Sequence, residues 1–169
     1  MTSNVRSRAF IQNLSHDICC PFFDENKNLH FLYQNSGEIM MVNEMEKVER
    51  VHMTHGQPSG AMYDSDGVLY VADFAHGAVL AVQPDGVHDV VVGVYEDRPL
   101  KGPNTIVKDK NGNIFFTDSG PFGETGLDSP SGSLFAIVSS SAGQILKPLS
   151  LESLAYPSGV AVSPNGKFM

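Results

Sequence analysis

Apolar and polar positions fall into short alternating runs along this chain, and the runs repeat. One stretch reads Pro58-Ser-Gly-Ala-Met-Tyr-Asp64-Ser-Asp-Gly67-Val-Leu-Tyr-Val-Ala-Asp73. A second reads Pro103-Asn-Thr-Ile-Val-Lys-Asp109-Lys-Asn-Gly112-Asn-Ile-Phe-Phe-Thr-Asp118. Pro, Asp, Gly and Asp recur between them at a shift of 45 residues. A third copy opens at Pro157 and carries Ser163 and Gly166 at the Asp and Gly positions, 54 residues on. A weaker first copy runs from Cys19 through Asp24 to Tyr33.

Each unit predicts the same four strands. A short apolar strand such as Gly60–Tyr63 leads into a tight two-residue hairpin turn at Asp66-Gly67, Asn111-Gly112 or Asn165-Gly166, pairs that tolerate positive φ. A second strand, Val68–Ala72 or Ile114–Thr117, is the most apolar, as expected if neighbouring units cover both its faces. Third strands follow at Gly77–Val82 and Gly132–Ile137, and more polar fourth strands at Val87–Val92 and Gln144–Leu149. Four antiparallel strands per unit of this length define a propeller blade. The expectation is therefore an all-β propeller with about three and a quarter blades present. Blade 1 is placed at 17–55, blade 2 at 56–101, blade 3 at 102–153, and the start of blade 4 at 154–169. Residues 1–16 form an N-terminal segment whose stretch 8–14 suits a ring-closing strand. Three blades do not close a ring, so the remainder of a longer propeller, or a second copy, is needed to complete it.

Composition narrows the function classes. Acidic residues outnumber basic ones 19 to 11, and no face collects Lys and Arg, which argues against nucleic acid as a partner. No run of about 18 apolar residues occurs, which argues against a membrane span. Cys19 and Cys20 are adjacent and give no disulfide framework; with no secretory pattern at the N-terminus, a reducing, cytoplasmic setting is expected. Their simplest role is as small buried apolar groups. His52 and His55 lack the helix and Glu of a zinc protease motif and are expected in a loop. The Gly-rich stretch Ser119–Gly132 lacks a Gly-Lys-Ser/Thr phosphate cradle; it reads as a lid or specificity loop, or as ordinary surface.

The run Gly102-Pro-Asn104, then Asp109, Asn111-Gly112 and Phe115-Phe-Thr-Asp118-Ser119-Gly120, a Gly-rich excursion and Gly132-Ser-Leu-Phe135 resembles the third blade of a known superfamily. It is the senescence-marker/gluconolactonase/strictosidine-synthase-like six-bladed propellers, with the lactonase-like members most similar. The resemblance spans roughly Ile18 to Met169. It implies metal-assisted hydrolysis of a lactone or ester, with one divalent cation, usually calcium, at the mouth of the central tunnel. It also implies a general-base Asp from a later blade, beyond residue 169. The family's ligands stand five residues before the turn Asp, or its equivalent, in each blade. Here those positions are Cys19, Ser59, Asn104 and Ser158, where the family has Glu, no fixed ligand, Asn and Asn. Asn104 keeps its type and is the candidate for metal or substrate contact; Ser158 is a weaker metal candidate. A thiol in place of Glu is a poor calcium ligand. Asp118 and Ser119 are candidates for a second, structural calcium, although Asp73 and Asp118 also suit turn capping. His76, in the turn after Asp73, is a candidate substrate contact. The leading expectation is a lactonase-like hydrolase-family propeller. The alternative is a non-catalytic propeller that binds a protein or ligand on its loop face, and a third is a strictosidine-synthase-like protein that needs no metal.

Overall fold

The computed structural model describes residues 10–12, 14, 17–141 and 143–169. Among them, three four-stranded antiparallel sheets follow one another along the chain, each with its strands in sequence order. Blade 1 contains β1 (Ile18–Phe23), β2 (Leu29–Tyr33), β3 (Glu38–Val42) and β4 (Val48–Met53). Blade 2 contains β5 (Pro58–Tyr63), β6 (Leu69–Asp73), β7 (Ala78–Val82) and β8 (His88–Val92). A small ribbon, β9 (Val94–Tyr95) with β10 (Arg98–Pro99), then leads to blade 3: β11 (Pro103–Lys108), β12 (Ile114–Asp118), β13 (Gly132–Ser140) and β14 (Gly143–Leu154). No helix among the described residues is long and apolar enough to cross a membrane.

The two faces of the second strands explain the stacking. Side chains alternate along a strand, so Leu69 and Val71 of β6 turn toward blade 1 while Ala72 and Tyr70 turn toward blade 3. In β12, Ile114 and Phe116 pack on blade 2. The third strand is as well covered: all five residues of β7 are buried. Burial is thus shared by β6 and β7, because both run mid-sheet with a neighbouring blade on each side. Blade 1 presents Phe31, Met40 and Val42 on its other face, where Ile11 and Leu14 pack. The ring-closing strand expected at 8–14 otherwise lies largely outside the described residues.

The turns between first and second strands differ from the two-residue hairpin. The Asp64 carbonyl accepts the Gly67 N–H at 3.1 Å, and the Val68 carbonyl accepts the Asp64 N–H at 2.9 Å. The loop is longer, and positive φ falls on Gly67 (77°) alone, not on Asp66. Asp64 Oδ1 also accepts the amides of Asp66 and Val68, each at 2.9 Å, an Asx turn that holds the loop. Asp109 repeats this with Asn111 and Asn113. In blade 1 the Gly position is Lys27 at φ 65°; with Ile18 at the Pro position and Tyr33 at the final Asp position, this makes that copy faint in sequence. The last copy keeps the turn, with Gly166 N–H on the Ser163 carbonyl, but 155–169 forms no strand. The β9–β10 ribbon and the length of β13 and β14 have no counterpart in the repeat and were not expected from it.

Candidate functional site at the innermost strands

Each first strand pairs irregularly at its start. The ladder slips between Cys19 and Phe22 in β1, between Pro58 and Gly60 in β5, and between Pro103 and Ile106 in β11. Such bulges re-aim side chains; they fall on the marked Ser59 and Asn104, and in β1 just after Cys19, which itself pairs with Leu32. In blade 3 the freed Thr105 N–H donates to Thr117 Oγ1 at 3.0 Å.

Contacts link these positions in a row. The Cys19 thiol lies 3.8 Å from the Pro58 carbonyl and 4.0 Å from that of Ser59. Gln34 Nε2 donates to Ser59 Oγ at 2.8 Å. At Gly60 a Cβ would stand 2.4 Å from the Asn104 carbonyl, so glycine lets β5 meet β11. The Thr105 hydroxyl donates to the Ser158 carbonyl at 2.7 Å. Cys19, Ser59, Asn104 and Ser158 thus follow one another from blade to blade.

Their chemistry is neutral. Burial, then the charges of Cys20 and Asp17, push the Cys19 thiol up to about 11. It is protonated at neutral pH and sits against carbonyl oxygens. Calcium takes six to eight hard oxygen ligands, usually with carboxylates among them. One thiol, two hydroxyls and one amide do not fit it. Among the described residues, no cluster of three or more His, Cys, Asp or Glu is arranged to hold a metal ion.

Asp73 and Asp118 end their second strands and reach toward the incoming chain. Asp73 accepts the Thr54 hydroxyl at 2.7 Å, the Gln57 amide at 2.9 Å and the His76 amide at 3.0 Å. Its Oδ1 lies 3.1 Å from His76 Nδ1. Burial alone would raise this carboxyl; the bonds from Thr54, Gln57 and His76 outweigh it and hold it below its ordinary value. Asp118 accepts the amides of Lys101 at 3.0 Å and Gly102 at 2.7 Å. With fewer donors, burial prevails and raises it. The Ser119 hydroxyl donates to the Pro157 carbonyl. Both candidates for a structural calcium therefore spend their oxygens on backbone groups. His76 is held by Asp73 and remains partly exposed.

The 119–132 loop starts at this same end of β12. Thr125, buried, donates to the Ser119 carbonyl at 3.1 Å, and Phe122 meets Tyr156 edge-on at 5.2 Å. Leu127 is exposed at its tip. Thr105, Gln34 and Tyr156 were not singled out in the sequence; only the position of Thr105 beside Asn104 signalled any of them. His52 lies in β4 rather than in a loop, because the polar fourth strand accommodates it.

These successive four-stranded sheets are blades of a β-propeller. No family model matches the chain. It is 29% identical over 123 residues to strictosidine synthase-like protein 3 of Arabidopsis thaliana, covering 67% of this chain and 30% of that one. It is 35% identical over 71 residues to a gluconolactonase of Zymomonas mobilis, covering 41% and 20%. Among solved structures, a gluconolactonase from Xanthomonas campestris superposes with a TM-score of 0.76 at 21% identity, over 89% of this chain and 52% of that one. A virginiamycin B lyase from Staphylococcus aureus does so at 0.63 and 15%, over 89% and 47%. The chain is thus similar to propellers of the gluconolactonase and strictosidine-synthase-like kind. It spans about half the length of these solved structures and under a third of the curated relatives.

Proposed function

We propose that this chain supplies part of the axial mouth of a lactonase-like propeller, which receives a small lactone or ester. Asn104 is the main side chain meeting the ligand and His76 a second contact. The observation that supports this reading is the row of contacts from Cys19 to Ser158 across neighbouring blades, with the amide side chain of the four at the bulged start of β11. The donor set does not suit calcium, so in this reading Asn104, with Ser59 and Ser158, binds the ligand by hydrogen bonds. Hydrolysis would need the general-base Asp that the family resemblance puts in a later blade. The ring would be completed by further blades of a longer chain or by a second copy, in a reducing, cytoplasmic setting.

Calorimetric titration with gluconolactone, beside a hydrolysis assay with and without calcium, tests this. Saturable binding independent of calcium is expected, weakened about tenfold in Asn104→Ala, the loss of one good hydrogen bond. Unchanged binding in that variant would reduce Asn104 to a strand-start residue. Tight one-to-one calcium binding would refute the calcium-free reading. The neutral, carbonyl-bound Cys19 at the Glu position favours a second reading, a non-catalytic ligand-binding propeller. Saturable binding without turnover by the completed ring would select it.

A further inference from the structure

At the far ends of the first strands, the two seams between blades place different residues at matching positions. Between blades 2 and 3, Lys108 Nζ lies 3.1 Å from Asp64 Oδ2 and 5.7 Å from the centre of the Tyr70 ring. Lys108 closes β11 opposite Ile114, just as Tyr63 closes β5 opposite Leu69. The repeat therefore maps Asp64, Lys108 and Tyr70 onto Asp24, Tyr63 and His30 at the seam between blades 1 and 2. That seam has the carboxylate and two aromatic rings, and lacks the cation.

A cavity of about 300 Å³ opens there, lined among others by Asp24, Glu25, His30, Met41, His52 and Tyr63 and by no Lys or Arg. The His30 side chain is 2% exposed. Its Nε2 lies 3.3 Å from Asp24 Oδ2, while its Nδ1 is buried with no hydrogen-bond partner. With the proton on Nε2 facing the carboxylate, Nδ1 is an acceptor without a donor, a costly state for a buried group. Burial lowers the pKa of both His30 and His52, which leaves neutral rings beside the acids.

We propose that this cavity binds a small organic ammonium ion, which supplies from outside the cation that Lys108 supplies at the next seam. Its N–H groups donate to the Asp24 carboxylate, and its alkyl part lies against Tyr63 and Met41. Asp24 Oδ2 already accepts Asn28 Nδ2 at 2.7 Å and faces His30 Nε2; Oδ1 accepts the Asn28 amide at 2.8 Å and has a second lone pair for a further donor. An aromatic face beside the charge adds attraction.

The test is an amide-resolved NMR titration of the 169-residue chain with n-butylammonium chloride at pH 7.5, with n-butanol and sodium chloride as controls. Saturable shifts at Val51, His52 and Tyr63 are expected, with n-butanol at least about tenfold weaker. Tyr63→Lys places an internal ammonium where Lys108 stands at the next seam. It is expected to abolish binding while the amide spectrum elsewhere is kept. Asp24→Asn, which keeps the turn acceptor, serves if Tyr63→Lys disturbs the fold, and should cost about tenfold. Absent saturation, equal binding of n-butanol, or undiminished binding by whichever variant folds overturns the proposal.

Discussion

Between blades 2 and 3 the buried layer is aromatic. Phe116 stacks on Phe135 at 5.5 Å, Tyr95 from the ribbon leans on Phe135 at 5.2 Å, and Lys108 bonds Asp64 at the far end. Between blades 1 and 2 the same layer is aliphatic, built on Leu32, Ile39, Val71 and Leu80, with the Cys20 thiol accepting the Ala61 amide at 3.2 Å. Its far end holds His30 and Tyr63 around a cavity instead of an ion pair. One backbone repeat thus accepts two kinds of seam. Large rings and a cation fill one; smaller side chains leave the other with room at its far end, among groups that titrate.

The sharpest way to break the comparison is to empty each layer in turn. Phe116 is wholly buried, so Phe116→Ala is expected to cost about 4 kcal/mol, against about 3 kcal/mol for Leu80→Ala across the other seam. Urea unfolding at fixed slope measures both. Equal costs would show that the aromatic layer adds nothing beyond ordinary burial.

Lys108→Met comes next. It keeps the stem that covers Tyr70 and leaves Asp64, 5% exposed, without its cation. A loss of about 2 kcal/mol is expected at pH 7. Burial would raise the Asp64 carboxyl, but the Val68 amide, Lys108 and the Asp66 amide bring it below its ordinary 3.8. A depressed carboxyl contributes stability above its unfolded value and loses it as pH falls through the folded value. The cost of Lys108→Met should therefore shrink as pH drops below about 4. A cost that does not change with pH would mean that packing of the stem, not charge, holds this end.

The sheets were legible because their signals are local. The Asp–Gly turns and the alternation in β6 and β12 each sit within a few residues, and they recur. The ribbon β9–β10 was not legible: Val94-Tyr-Glu-Asp-Arg-Pro99 carries no repeat, and its turn rests on Glu96 and Asp97 at positive φ where no glycine signals it. The axial row was half legible. Counting from the turn Asp finds Cys19, Asn104 and Ser158, but the turn does not reveal that each strand start bulges. Nor does it show that Cys19 spends its thiol on the carbonyls of blade 2, which is a contact across 39 residues. The His30 cavity was invisible, because it arises from what the neighbouring blade lacks at a matching position.

The smallest expected effect separates the seams by pH. Burial, only partly offset by the bond and charge of Asp24, lowers the His30 pKa below its ordinary 6.5. His52 is lowered too, by burial and then by the charge of His30. A base with a depressed folded pKa takes up protons first in the unfolded chain. Its contribution is present above about pH 6.5 and is lost as acid is added through the folded value. Each such group adds a slope of at most about 1.4 kcal/mol per pH unit. Stability should thus fall as pH drops from about 6.5, well above the range in which the depressed Asp64 carboxyl takes up its proton. His30→Phe removes one of the two groups and fills the same seam, so it should flatten that limb in a series of urea midpoints taken across it. If its profile instead overlies that of the parent, the acid sensitivity does not come from His30, and the two seams differ in packing alone.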